Sequence, residues 1–270
     1  MTTPVALTIA GSDSSGGAGI QADLKTFAAL GVYGASVITA LTAQNTREVT
    51  AVQPVPADFV TAQLEAVFAD IEIAAVKIGM VADTAIIDAI AAALTRLAPG
   101  LVTKAVVLDP VMVATSGDQL LASDAVGALK AKLIPLATIV TPNLPEAAHL
   151  LDEEIARSAA AIEAQGRRLL ALGSSAVLMK GGHGEGPESA DTLITANSVE
   201  TLSAPRIATR NTHGTGCSLS SAIAAGLAKG EDLASAVRNA KAFVSAAIAA
   251  ADRFSVGRGH GPIHHFHRFY

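Results

Sequence analysis

Short apolar runs rich in β-branched residues alternate with amphipathic or Ala-rich segments from one end of the chain to the other, and that alternation leaves few folds open. The runs are VALTIAG (5–11), ASVITALTAQ (35–44), AAVKIGM (74–80), AVVLDPVM (105–112), TIVTPN (138–143) and AVLMKGG (176–182). Several are apolar at successive positions, as strands covered on both faces are. They predict an α/β fold with a mostly parallel central sheet and helices packed on it. Between them, GIQADLKTFAALG (19–31) sets Ile20, Leu24, Phe27 and Leu30 on one helical face and ends at Gly31, a good C-terminal cap. DFVTAQLEAVFADI (58–71) and DTAIIDAIAAALTRL (83–97) repeat the spacing, with Asp83 placed to cap the second. DTLITA and VETLSAPRI (191–196 and 199–207) read as an antiparallel pair, and two long helices follow from about Thr215 and about Leu233.

No linker, charge run or repeat divides the 270 residues, so residues 1–270 are expected to form one domain. Aromatic residues make up only 3% and Trp is absent, so the core must be built from close-packed Ala, Val, Leu and Ile. A net charge of -5 argues against nucleic acid or an anionic membrane surface as partner and leaves small molecules. The single cysteine, Cys217, excludes an intrachain disulfide and fits a reducing compartment. The N-terminal MTTPVALTIAGSDSSGG has neither the basic region nor the apolar length of a signal peptide, so a cytoplasmic protein is expected. GHGPIHHFHRFY (259–270) has the composition of a metal tract, but from about residue 258 a mobile or loosely docked tail is the expectation.

Ligands of an open parallel sheet bind outside the carboxyl ends of its strands. Those ends carry Gln44, Asp109, Asn143 with Glu146, and Lys180. The stretch NTHGTGCSLSSAIAAGLAKG (211–230) adds a glycine-flanked helix start, where free N–H groups and the helix dipole favour an anion. An ammonium, a helix N-terminus and two carboxylates are what phosphoryl transfer requires. Each also has a plainer reading. Asp109 precedes a proline and suits a turn, Glu146 suits a first helical turn, Lys180 a solvated strand end, Gln44 a loop hydrogen bond, and Cys217 a small buried residue. GSDSSGGAG (11–19) begins like a phosphate loop but lacks Gly-Lys-Ser/Thr, so its glycines suggest a backbone close to a ligand, or a flap.

Taken in order, AGSDSSGGAGIQADLKTF, TALTAQNT, KIGM, LDPVMVATSG, TPNLPEA, LMKGGH and NTHGTGCSLSSAIAAGLA closely resemble the hydroxymethylpyrimidine and phosphomethylpyrimidine kinases of thiamine biosynthesis, in the ribokinase superfamily. The resemblance implies a three-layer α/β/α ribokinase-like domain, ATP and Mg²⁺ as cofactors, a small pyrimidine as substrate, and a homodimer. By position it implies that Gly214, Thr215 and Gly216 hold the transferred phosphoryl group and that Cys217 is the base for the substrate hydroxyl. Gln44 matches the pyrimidine-holding residue, with Asp23, Met80 and Val111 around the same pocket. Lys180 and Asn143 fall at the nucleotide phosphates, and Asp109 and Glu146, beside Asn143, at Mg²⁺ and its waters. The amide of Gln44 offers a donor and an acceptor to an aminopyrimidine edge. A thiolate base requires a pKa below the free value of about 8.5, which a helix N-terminus and cations are expected to supply. Pyridoxine or pyridoxal kinase is the nearest alternative activity, and a non-catalytic pyrimidine sensor the alternative from another class. SDSSGGAG (12–19) and ATSGDQ (114–119) have lid-like composition.

Overall fold

The computed structural model describes residues 3–102, 104–112, 124–182 and 186–270, and the ATSGDQ stretch lies outside them. In chain order the elements are β1 (Val5–Asp13), α1 (Gly19–Ala29), β2 (Tyr33–Gln44), β3 (Val49–Pro54), α2 (Ala57–Asp70), β4 (Ala75–Ile78), α3 (Thr84–Leu97), β5 (Val106–Leu108), α4 (Ala125–Ala128), β6 (Ile139–Val140), α5 (Leu144–Leu151), α6 (Ala159–Leu170), β7 (Ala176–Met179), β8 (Glu188–Thr195), β9 (Val199–Pro205), α7 (Thr215–Ala228) and α8 (Leu233–Ala249). They build one nine-stranded sheet in the order β3-β2-β1-β4-β5-β6-β7-β8-β9. Strands β2, β1, β4, β5, β6 and β7 run parallel, whereas β3, β8 and β9 pair antiparallel at the edges.

Side-chain alternation along each strand sorts the core into two layers. Leu7, Ile9, Val76, Ile78, Val106, Leu108, Val177 and Met179 pack with α2, α3, α5 and α6 on one face. Ala6, Ala75, Val107 and Leu178 pack with α1, α7 and α8 on the other, giving the expected three layers. Helix α7 is the central one, buried continuously from Ser218 to Gly226. Its small side chains let it lie close to the sheet, but its buried serines then need hydrogen-bond partners. Those partners turn out to belong to the site described below.

The helix predictions hold closely. Asp83 caps α3 by accepting from Ile86 N at 2.9 Å, and Gly31 adopts φ 73° just past α1. The predicted strands 105–112 and 138–143 are shorter than expected, ending at Leu108 and Val140. Pro110 and Pro142 follow closely and have no N–H for a ladder. The edge strand β3 went unread, because five of its six residues are exposed and carry no buried face to set a pattern.

The C-terminal residues correct the expectation of a loose tail. Ile263, His264 and His265 are only 1%, 2% and 4% exposed. His264 N donates to Ala247 O at 3.0 Å, and the His264 ring stacks edge-on to Phe254 at 4.7 Å between centroids. These histidines act as packed rings, and among the described residues no three His, Cys, Asp or Glu are grouped to hold a metal. Nor is any helix among the described residues long and apolar enough to cross a membrane.

Burial, assisted by Lys25, His264 and His267, holds His265 down to about 3, against an ordinary value of 6.5. The unfolded chain therefore takes up a proton below about pH 6.5 that the folded chain refuses until about pH 3. Stability should fall as pH drops through that window, by at most about 1.4 kcal/mol per pH unit from this group. Urea midpoints of wild type and His265→Gln between pH 4 and 8 check this: the wild type should lose stability faster on acidification.

Candidate active site

The carboxyl ends of the parallel strands converge on the N-terminus of α7. Gly214 is its N-cap residue with φ 80°, and no side chain caps the helix, so the first-turn N–H groups stay free of a side-chain cap. A Cβ on Gly214 would collide with the carbonyl oxygen of Gly17, so only glycine allows the two loops to touch. Two residues further, in the first turn, Gly216 faces the charged strand ends: a Cβ there would lie 3.4 Å from Lys180 Nζ and 3.7 Å from Asp109 Oδ2.

Lys180, following β7, bonds Asp109 Oδ1 at 2.7 Å and stands 3.9 Å from Glu146 Oε2. Asp109 follows β5 and also accepts from Thr141 Oγ1 at 3.1 Å and from Ser220 Oγ of α7 at 3.3 Å. Burial opposes charge on both partners of the close pair, but Lys180, Lys77 and Thr141 together hold Asp109 below the usual carboxylate range, and Asp109, Glu146 and Cys217 together hold Lys180 above its own. Glu146 is different. Burial, with Asp109 adding to it, pushes its carboxyl up to about 7 despite the opposing pull of Lys180. Asn143 and Glu146 form a reciprocal capping box at α5, each accepting from the other's backbone N–H at 2.8 Å. The side-chain oxygen of Asn143 is thus committed to positioning Glu146, and its backbone bridges to Lys180.

Beneath Cys217 lies a charge pair that the sequence did not announce. Lys77 is wholly buried in β4 and bonds Asp23 of α1 at 2.8 and 3.0 Å. Asp23 also accepts from Thr8 Oγ1 and from Ser221 Oγ, both at 2.6 Å. Lys77 was readable in principle, since strand alternation puts it on the Ala75 side, toward α1 and α7. The same contacts correct the expectation for Asp23, which is 0% exposed, inside an ion pair and not on an accessible pocket wall.

The expected acidification of Cys217 is also corrected. Cys217 is partly exposed, yet burial of its sulfur pushes the thiol up to about 11. Lys77 and the Gly19 N–H favour the thiolate, whereas Asp23 and Asp109 oppose it. Burial wins, and the resting side chain is a thiol.

Gln44 ends β2, and Met80 and Val111 follow β4 and β5. Thr42 Oγ1 donates to Gln44 Oε1 at 3.1 Å, and Ser14 Oγ is bonded to both the N–H and the carbonyl of Gln44 at 2.9 Å. Met80 is buried against Gly11, where an added Cβ would stand 2.9 Å from its sulfur, and Val111 is partly exposed above Asp109.

The glycine-rich segment after β1 is tied down instead of forming a free flap. Asp13, another residue without an obvious role in the sequence, accepts from Ser15 N, Ser15 Oγ, Gly17 N and Ala18 N at 2.7–3.1 Å. Its Oδ2 also meets His213 Nε2 at 2.8 Å. Although burial opposes ionisation, these donors hold Asp13 well below the usual carboxylate range. An Asx-turn acid followed by serine and glycines was the available signal.

The profile of the phosphomethylpyrimidine kinase family matches residues 13–264. A hydroxymethylpyrimidine/phosphomethylpyrimidine kinase from Rhizobium meliloti is 58% identical over 268 residues, covering 99% of each chain. Among solved structures, the ADP complex of Bacillus subtilis pyridoxal kinase superposes with a TM-score of 0.90 at 37% identity, covering 100% of both chains. The phosphomethylpyrimidine kinase of Clostridium difficile superposes with a TM-score of 0.79 at 45% identity, covering 90% of this chain and 99% of that one.

Two outcomes follow from the buried charges. Lys77→Met strands Asp23 without its counter-ion and should cost about 3–5 kcal/mol in urea unfolding, with a smaller loss in Lys77→Met/Asp23→Leu. Cys217 is the only cysteine, so iodoacetamide uptake reports on it alone. Its rate should climb roughly tenfold per pH unit across pH 7–10 without levelling off.

Proposed function

This chain belongs to the phosphomethylpyrimidine kinase family, and we propose that it phosphorylates 4-amino-5-hydroxymethyl-2-methylpyrimidine, then its monophosphate, with ATP as donor. The product is the pyrophosphate used in thiamine biosynthesis. The observation that carries this reading is the meeting of the first turn of α7 with the Lys180–Asp109 pair beside Gly216, next to a partly exposed Cys217.

In this reading the N–H groups of Gly214, Thr215 and Gly216, with Lys180, hold the γ-phosphoryl oxygens. Asp109 and Glu146 are the residues that would hold Mg²⁺. Two carboxylates without a third acidic neighbour suit a cation that keeps waters and shares phosphate oxygens with its nucleotide. When bound, Mg²⁺ would neutralise charge on those oxygens. Asn143 acts through Glu146, by the capping box. Gln44 reads the aminopyrimidine edge, with Met80 and Val111 beside it, and Asp23 acts from below by fixing Lys77.

The hydroxyl oxygen of the substrate forms the new P–O bond as the bond to the ADP oxygen breaks. Because the transition state of such transfers is loose, the hydroxyl proton need leave only late. Sγ of Cys217 orients that hydroxyl; to take its proton the resting thiol must first release its own to solvent, giving a thiolate favoured by Lys77 and the Gly19 N–H. Positioning and charge neutralisation therefore supply most of the acceleration, and proton removal by the base supplies less.

The pyrimidine reading is favoured over a pyridoxal kinase by the amide of Gln44, which matches an aminopyrimidine edge that a pyridine ring lacks. A silent sensor would have no use for the Lys180, Asp109 and Glu146 cluster. We further propose that residues 1–270 work as one domain in the cytoplasm, where Cys217 stays reduced. We also propose a homodimer, with Leu41, 50% exposed on β2 beside the edge strand β3, at its interface.

ADP release with hydroxymethylpyrimidine and with pyridoxal, side by side, tests the activity: faster turnover per KM with the pyrimidine is expected, and a preference for pyridoxal overturns it. Cys217→Ala should lower kcat by about 10²-fold or more with little change in pyrimidine KM. Wild-type turnover in that variant removes the thiol from the mechanism.

A further inference from the structure

We propose that residues 257–265 form a positioning strap that sets the loop after Gln44 and the start of α7, which carries Cys217, in one fixed relation. This rests on the function proposed above, because it treats those segments as the pyrimidine and phosphate sides of one site.

The first grip is on Thr46, two residues beyond Gln44. Its Oγ1 accepts from Arg258 N at 3.2 Å and Gly259 N at 3.0 Å, and its carbonyl accepts from His260 N at 2.8 Å. The approach is so close that a Cβ on Gly257 or Gly259 would collide with Thr46, and Gly257 takes φ 73° to achieve it. The second grip is on the anion loop. Gly261 O accepts from His213 N at 3.0 Å, and Ile263 N donates to His213 O at 3.4 Å. His265 Nε2 bonds Ser218 Oγ at 2.8 Å. Since that hydroxyl already donates to Gly214 O at 2.8 Å, the imidazole N–H is the donor to it. The strap thus holds residues on both sides of Cys217, at 213 and 218.

A second path closes the circuit. His213 bonds Asp13, whose neighbour Ser14 holds the backbone of Gln44. Gln44, Ser14, Asp13, His213, the strap and Thr46 form a ring of hydrogen bonds and peptide links. A tail needed only to cover apolar surface would dock through side chains. This one docks through backbone donors and three glycines that no larger residue could replace without displacing Thr46 or Asn211.

The test is a double-mutant cycle in the full-length enzyme with Thr46→Val and His265→Leu, and Thr46→Ser as the conservative control. Pyrimidine KM, kcat, urea midpoint and the rate of Cys217 alkylation without substrate are measured for each. We expect crossed effects. Thr46→Val should lower kcat and alter the alkylation rate, and His265→Leu should raise pyrimidine KM, each by about 5-fold, the worth of one net hydrogen bond. The double variant should fall short of the product of the two, and Thr46→Ser should restore wild-type values. If His265→Leu does not fold, Gly261→Ala, which presses a methyl group onto Asn211, replaces it in the cycle. Effects confined to KM for Thr46→Val and to kcat for the partner variant, multiplying in the double, overturn the strap. Failure of the unmodified enzyme to use hydroxymethylpyrimidine instead fails the proposed function, while the alkylation rates still judge the strap.

Discussion

Everything at the site depends on how closely two backbones approach, at Gly17 and Gly214. The left-handed turn at Gly214 starts α7 where its first turn, uncapped by any side chain, meets the strand ends, and any side chain there would strike the Gly17 carbonyl. That contact brings the segment after β1 against the segment before α7, two stretches almost the whole chain apart in sequence. Asp13 fixes one side of it and His213 the other, through a single 2.8 Å bond. The helix dipole is aimed by this junction, and Lys180 and Asp109 stand near Gly216 in its first turn.

The charges around α7 are arranged in pairs of unequal burial. Lys77 and Asp23 lie entirely inside, and an isolated ion at either position would be prohibitively costly. Two hydroxyls, Thr8 and Ser221, take up the remaining capacity of Asp23, so the pair is satisfied as well as neutral. Lys180 retains some exposure, unlike Lys77. The serines of α7 link the two pairs, Ser221 to Asp23 and Ser220 to Asp109. A helix of small residues can bring its backbone this near the sheet only if its polar groups are answered, and here the site's own acids answer them.

Much of this was legible in the sequence because it repeats a period. The parallel strands, α1, α3 and the start of α7 each carry apolar spacing or a cap residue, and the polar strand ends follow once the strands are placed. What escaped reading lacked such a pattern. Lys77 sits in a four-residue strand buried on both sides, where a lone lysine carries no period. The roles of Asp13 and His213 are defined by a contact 200 positions apart. The C-terminal histidines were misjudged because composition says nothing of partners, and theirs are Ser218 and the backbone of α8. Local pattern reveals elements, whereas a site assembled from distant loops is visible only in three dimensions.

The thiol at position 217 makes physical sense in this charge balance. Lys77 offsets Asp23 and Lys180 offsets Asp109, so the pairs around the helix start leave no net charge of their own. A carboxylate at residue 217 would add a fixed negative charge beside an incoming polyphosphate. With Asp23 and Asp109 already opposing a thiolate there, that charge would be costly before the nucleotide arrived. A thiol held near 11 stays neutral while the nucleotide binds. Before it can take the hydroxyl proton it must first give its own proton to solvent, and Lys77 and the Gly19 N–H favour the thiolate that results. In the function proposed above, a neutral resting thiol adds no charge against the N–H groups and Lys180 as they hold the phosphates, and proton removal is a late, secondary event.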